Sequence, residues 1–99
     1  MRLTNQQIQL IRDIVRQVAG DACRVRIFGS RLDDVKRGGD VDVLLDLPDA
    51  VNNPALIAAT VSARVSRAMY GRKVDVLISA PNLMRLPIHD IAFKEGQVL

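Results

Sequence analysis

A chain of 99 residues, 48% apolar and 25% charged, has the makeup of one ordinary globular domain over residues 1–99 and is too short for two separate cores. No apolar run approaches the ~20 residues needed to span a bilayer, no basic-then-apolar leader opens the sequence, and the single Cys23 cannot close an internal disulfide, so a cytoplasmic protein is expected. The net charge of +3 permits polyanions, but the basic residues are scattered and Phe28, Tyr70 and Phe93 are the only aromatics, so a base-stacking nucleic-acid surface is not expected and a free nucleotide is the better-suited ligand.

Thr4 with Gln7 three residues on forms a capping box, and Ile8, Ile11, Ile14, Val15 and Val18 follow at helical spacing until Gly20. This first helix is expected to pack on a sheet and to carry no chemistry. Cys23 opens a short apolar run that ends at Phe28, and a buried structural thiol is the expected role for it. Within the run Arg24 and Arg26 alternate with Val25 and Ile27, which leaves one face polar or turned to a ligand.

Gly29-Ser30 ends that strand. Glycine lets the backbone turn and lets a ligand approach, and backbone N–H groups with a hydroxyl at the start of the next segment suit a phosphate; the pair alone is also the makeup of a simple turn. Arg31 falls in the same phosphate-facing set, and a helical turn is expected to begin at Ser30. The Lys36-Arg37-Gly38-Gly39 stretch reads equally as a solvated basic turn or as a contact to a triphosphate, with Lys36 and Arg37 supplying the charge.

Asp40-Val41-Asp42 then opens a second strand running to Leu47. Residues i and i+2 of a strand share a face about 6.5 Å apart. Asp40 and Asp42 are therefore neighbours, opposite Val41, Val43, Leu45 and Leu47. Two carboxylates so placed repel and gain nothing from packing, whereas a hard divalent cation such as Mg2+ or Mn2+ prefers such oxygens. A phosphate cradle followed by a carboxylate pair is the equipment of phosphoryl or nucleotidyl transfer.

Asn53-Pro54 reads as N-cap and first turn of a helix reaching about Tyr70, with Leu56, Ile57, Val61, Val65, Ala68 and Met69 as its buried stripe and Gly71 as its stop. A helix between two apolar strands implies a crossover. Strand three is expected from Lys73 to Ile78, with Val74, Val76 and Ile78 on one face and Asp75 and Leu77 on the other. Asp75 interrupts an apolar strand, either at a sheet edge or as a third site carboxylate. Leu83 to Leu86 is expected to form one helical turn, and Pro87 to start a last helix, ended by Gly96, with Ile88, Ile91 and Ala92 inside. His89, the only histidine, fits a surface or capping position, a base or a partner contact. Gln97 to Leu99 can add a short edge strand.

Gly29-Ser30, a nine-residue spacer and Asp40-x-Asp42 between apolar runs resemble the signature of the DNA polymerase beta-type nucleotidyltransferase superfamily, and the length, the double glycine and Phe93-Lys94-Glu95-Gly96 resemble its minimal, HEPN-associated (MNT-type) members. The resemblance implies an α/β fold: a small mixed sheet of three to four strands with helices mainly on one face, like the polymerase beta palm. It implies Asp40, Asp42 and Asp75 as metal and catalytic carboxylates, with Asp75 also able to take a proton from the attacking hydroxyl. It implies ATP or another nucleoside triphosphate bound with magnesium, its β and γ phosphates on Gly29 and Ser30, and transfer of a nucleoside monophosphate to a hydroxyl, for instance a tyrosine of a HEPN-like helical partner. Relatives often hold a small residue, an arginine and a glycine where this chain has Leu32, Asp33 and Asp34, and a serine at Gly39. Retention of the carboxylates favours chemistry; those departures favour a non-catalytic antitoxin that masks the partner. A basic nucleic-acid-binding domain is the third, weaker reading. No acceptor-holding second domain is expected, so another chain is expected to supply the acceptor.

Overall fold

Thr4 caps α1 (Asn5–Ala19) by the expected box: the Gln7 N–H donates to the Thr4 hydroxyl at 3.1 Å, and the Thr4 N–H to the Gln7 side chain at 2.9 Å. The helix stops at Gly20, whose φ of 95° is cheap only for glycine. The chain then forms β1 (Arg24–Phe28), β2 (Val41–Asp46), α2 (Pro54–Ala68), β3 (Val74–Ser79), α3 (Pro87–Glu95) and β4 (Gln97–Val98). The computed structural model describes residues 3–28 and 41–99. Gly29, Ser30, Arg31, Lys36, Arg37 and Asp40, and the expected turn at Ser30, lie outside the described residues.

Among the described residues the strands form one sheet in the order β3-β2-β1-β4. The β1 strand pairs antiparallel with β2 and with β4, while β2 and β3 run parallel, joined by the α2 crossover. This is the mixed α/β architecture that the sequence implies. Alternation sorts the side chains. Val25, Ile27, Val41, Val43, Leu45, Val74 and Ile78 turn to one face, against Ile11, Ile14 and Val15 of α1 and Val61, Val65 and Met69 of α2. On the other face Phe28 and Leu44 are buried with Ala92 of α3, and Leu77 and Phe93 close around them.

Four local expectations change. The second helix ends at Ala68, before Tyr70: the Gly71 N–H donates to the Ser66 carbonyl at 2.8 Å, and Tyr70 and Gly71 both take positive φ, 60° and 81°. Leu56 is 61% exposed, because Ile57, Val61, Val65 and Ala68 make the inward stripe and Leu56 lies one residue, about 100°, away from it. Residues 83–86 form no helical turn. Ile88 and Ile91 point outward, 41% and 46% exposed, because His89 and Ala92 take the inward positions.

Gly96 ends α3 where the backbones come close. A Cβ there would overlap the Ala92 carbonyl oxygen and stand 3.2 Å from that of Ile27. Only glycine lets α3 pass directly into β4 at the edge of β1.

Candidate active site on the α3 face

The parallel register of β2 and β3 makes Asp42 and Asp75 direct cross-strand partners, and the antiparallel register of β1 puts Phe28 on the other side of Asp42. Partners share a face, and adjacent strands lie about 4.8 Å apart. Phe28, Asp42 and Asp75 thus form one row at one end of the sheet. Asp42 is half-buried and Asp75 exposed on the edge strand. The row is fixed from beside and below: the Val41 N–H donates to the Lys73 carbonyl at 2.9 Å, and the side chains of Val41 and Val43 are fully buried in the main core. The segment bearing Gly29, Ser30 and Asp40 leaves the described chain after Phe28 and rejoins it at Val41.

Two hard oxygen donors side by side are the donor type that a magnesium or manganese ion takes. Among the described residues no group of three or more His, Cys, Asp or Glu side chains gathers into a metal site.

A cavity of about 370 Å3 opens beside this row. Its walls are Phe28, Val76 and Leu77 from the sheet and Ile88 and Ile91 from α3, with Asp42 and Asp75 at one side. Ile88 and Ile91, both partly exposed, form its α3 side. A second cavity, about 280 Å3, lies at the far end of β1 among Arg12, Arg16 and Arg24. Asp13 and Asp21 stand 3.7 Å from Arg16 there, and neither site carboxylate reaches that end.

The helix α3 that walls the first cavity is anchored by polar contacts. His89 is 4% exposed. The Leu86 N–H donates to its Nδ1 at 2.9 Å, and Nε2 donates to the Ile78 carbonyl at 2.8 Å. Nδ1 must then carry the lone pair and Nε2 the hydrogen. Both nitrogens are engaged, so the ring is a cap and a tether to the end of β3; the surface and general-base roles fall away. Phe93 lies under two guanidinium groups, Arg26 at 5.0 Å and Arg85 at 4.6 Å from its ring centre, and Arg85 pairs with Asp90 at 2.6 Å. The Arg26 Nε is buried without a hydrogen-bond partner among the described residues, so the contact with Phe93 is part of what keeps that cation in place. A sequence signal for the His89 role does exist: it is the third residue of a helix begun by proline, where a side-chain acceptor reaches back to the N-cap N–H. Nothing in the pattern marks Phe93 as the target of two arginines.

Cys23 is partly buried against the main core. Burial first, and then the negative charge of Asp46, push its thiol up from 9.0 to about 11. It is a poor nucleophile at neutral pH, in keeping with a structural role.

No family model matches the chain, and no curated protein matches it. Among solved structures, a crystal structure of a toxin–antitoxin with AMP-PNP superposes with a TM-score of 0.71 over 97% of this chain and 72% of that chain, at 15% sequence identity. The likeness shows that the two chains share a fold over the superposed span, here a mixed four-stranded sheet with helices. No helix among the described residues is long and apolar enough to cross a membrane.

Proposed function

We propose that the protein is the nucleotide-binding member of a toxin–antitoxin pair, a minimal nucleotidyltransferase that moves a nucleoside monophosphate, AMP from ATP, onto a hydroxyl of its partner. The observation that carries this reading is the register that sets Asp42 beside Asp75 at the end of the sheet, where the Gly29-Ser30 and Asp40 segment leaves and rejoins. The fold it shares with the toxin–antitoxin structure, itself described with AMP-PNP, supports both the nucleotide and the protein partner.

In this reading Asp40, Asp42 and Asp75 hold magnesium or manganese, which supplies positive charge to the triphosphate. Gly29 and Ser30 bind the β and γ phosphates through backbone N–H groups and the hydroxyl, and Arg31, Lys36 and Arg37 add charge around them. Asp75, exposed at the sheet edge, accepts the proton of the incoming hydroxyl in this reading. The partner is a HEPN-like helical protein, and the pair acts in the cytoplasm.

A second reading is a masking antitoxin without turnover. Exposed apolar side chains favour it: Met84, Leu86, Ile88 and Ile91, in and just before α3, are all exposed. One experiment separates the two. The purified complex is incubated with magnesium and ATP labelled in the α-phosphate. Transfer of label to the partner, lost in Asp42→Ala without loss of the complex, is the expected result, because metal ligands act on the transition state more than on docking. Absence of label, with an Asp42→Ala/Asp75→Ala variant that still neutralises the partner, would leave the masking role standing alone.

A further inference from the structure

The second cavity opens at the Arg24 end of β1, and Arg24 is four residues from Phe28, about 13 Å along the strand from the carboxylate row. We infer that this cavity binds the phosphate group of a small organic ligand, and that Arg12, Arg16 and Arg24 hold it. Nothing in this depends on the nucleotidyl-transfer reading of Asp42 and Asp75.

Three observations carry it. First, the fold gathers cations that the sequence scatters. Arg12 and Arg16 are one turn apart on α1, on the flank next to the buried Val15, and the chain after Gly20 brings Arg24 to the same cavity. Like charges four residues apart on a helix repel, and an anion between them turns that repulsion into attraction.

Second, the guanidinium donors are open. Among the described residues neither Arg12 nor Arg24 pairs with a carboxylate. Arg16 has Asp13 and Asp21 at 3.7 Å, beyond hydrogen-bond length, and the Asp21 side chain is 88% exposed. Ion pairs so exposed are weak and yield to a better acceptor. A guanidinium fork matches the oxygens of a phosphate, and three forks suit a group with three terminal oxygens better than a carboxylate with two.

Third, Val15, Val25, Val98 and Leu99 give the cavity an apolar wall. The Leu99 N–H donates to the Val25 carbonyl at 2.9 Å and fixes that wall in place. A bare phosphate ion leaves it to water, whereas a short apolar body covers it. The volume of about 280 Å3 falls just below the range that encloses drug-sized ligands, roughly 300–1,000 Å3, so the body is small. None of the lining residues is aromatic, so a nucleobase finds no ring to stack on and a nucleic-acid strand is disfavoured.

The test uses n-butyl phosphate as probe on the full chain, at fixed ionic strength and with a chelator present, which silences a metal-dependent nucleotide site. Inorganic phosphate, n-butanol and a short single-stranded oligonucleotide are the comparators. The Nε–H signals of the three arginines and the methyl signals of Val15, Val98 and Leu99 are followed by NMR. Butyl phosphate is expected to shift both sets saturably. Inorganic phosphate is expected to bind more weakly and move the arginine signals alone, and butanol to leave the arginines unmoved. Arg12→Gln and Arg24→Gln are each expected to weaken butyl phosphate about tenfold, the loss of a charge-assisted hydrogen bond. Asp21→Asn, which releases Arg16, is expected to tighten it. Arg67→Gln removes the same charge from an exposed position on α2 and is expected to change nothing. Arg12 and Arg24 are exposed, so their variants are expected to keep the wild-type melting temperature. Shifts that do not saturate, equal weakening by Arg67→Gln, or full affinity in both Arg12→Gln and Arg24→Gln would each overturn the inference. Tighter binding of the oligonucleotide than of butyl phosphate through the same arginines would overturn the small-ligand assignment.

Discussion

On the α1/α2 face, branched side chains from β1, β2 and β3 interlock with two fifteen-residue helices. On the α3 face, among the described residues, the buried cluster around a nine-residue helix holds Phe28, Leu44 and Ala92 with Leu77 and Phe93 against it, and polar and cation–π contacts of His89, Arg26 and Arg85 help position that helix. The first face is a continuous buried apolar cluster. The second leaves room: its carboxylates, its cavity and its exposed isoleucines all lie where apolar coverage gives out. The same residues of β2 serve both faces in alternation, so the firm side holds the loose side in register.

Cutting into the firm face should have the largest effect. Leu45→Ala removes a fully buried side chain and is expected to cost about 2–5 kcal/mol, read as a lower denaturant midpoint with cooperative unfolding of the whole chain. A cost below about 1 kcal/mol would mean that this core is loosely packed and the contrast between faces overstated.

The loose face should respond to loss of a polar anchor. His89→Ala leaves the Leu86 N–H and the Ile78 carbonyl without their partner, at about 1–3 kcal/mol. Amides of α3 are expected to lose hydrogen-exchange protection while those of β1 and β2 keep theirs. Equal loss on both faces would show that α3 belongs to one cooperative unit with the main core.

A smaller effect sharpens the boundary at Cys23. Its thiol, held up to about 11 by burial and by Asp46, disfavours the thiolate in the folded chain. Stability from this source is therefore complete below about pH 9 and is lost as pH rises from there toward 11. Denaturant melts at pH 8 and pH 10.5 should show the loss, and Cys23→Ala should reduce it. An identical pH slope in the variant would place the cause in another group.

These contrasts explain what could be read before the structure. Ile11, Val15, Val43, Leu45, Val61 and Val65 recur at helical or strand periods, and a period is enough to assign a residue to a face. The capping box at Thr4 and the crossover between β2 and β3 were legible for the same reason, since each is a local pattern with one structural outcome. The face of α3 was not legible. Ile88, Ile91 and Ala92 repeat at helical spacing, but His89 outbids the isoleucines because its two ring nitrogens satisfy two backbone groups that no alkyl chain can. Of the candidate site, Asp75 stands out in the sequence as a carboxylate interrupting an apolar strand, at a sheet edge or as a third site carboxylate, the role the family resemblance implies. Its place beside Asp42 depends on the parallel register, which two strands separated by α2 do not declare in sequence.

We propose that Asp42 and Asp75, cross-strand partners at the end of the sheet, act as a functional pair. Calorimetric titration of ATP into the wild-type protein and Asp75→Asn, each with magnesium and with a chelator, tests it most directly, with a thermal melt of both proteins alongside. The expected result is saturable binding by the wild type with magnesium only and no measurable binding by Asp75→Asn, whose stability stays within about 0.5 kcal/mol because the side chain is exposed on an edge strand. Equal binding with the chelator present, or wild-type binding by Asp75→Asn, would contradict the account.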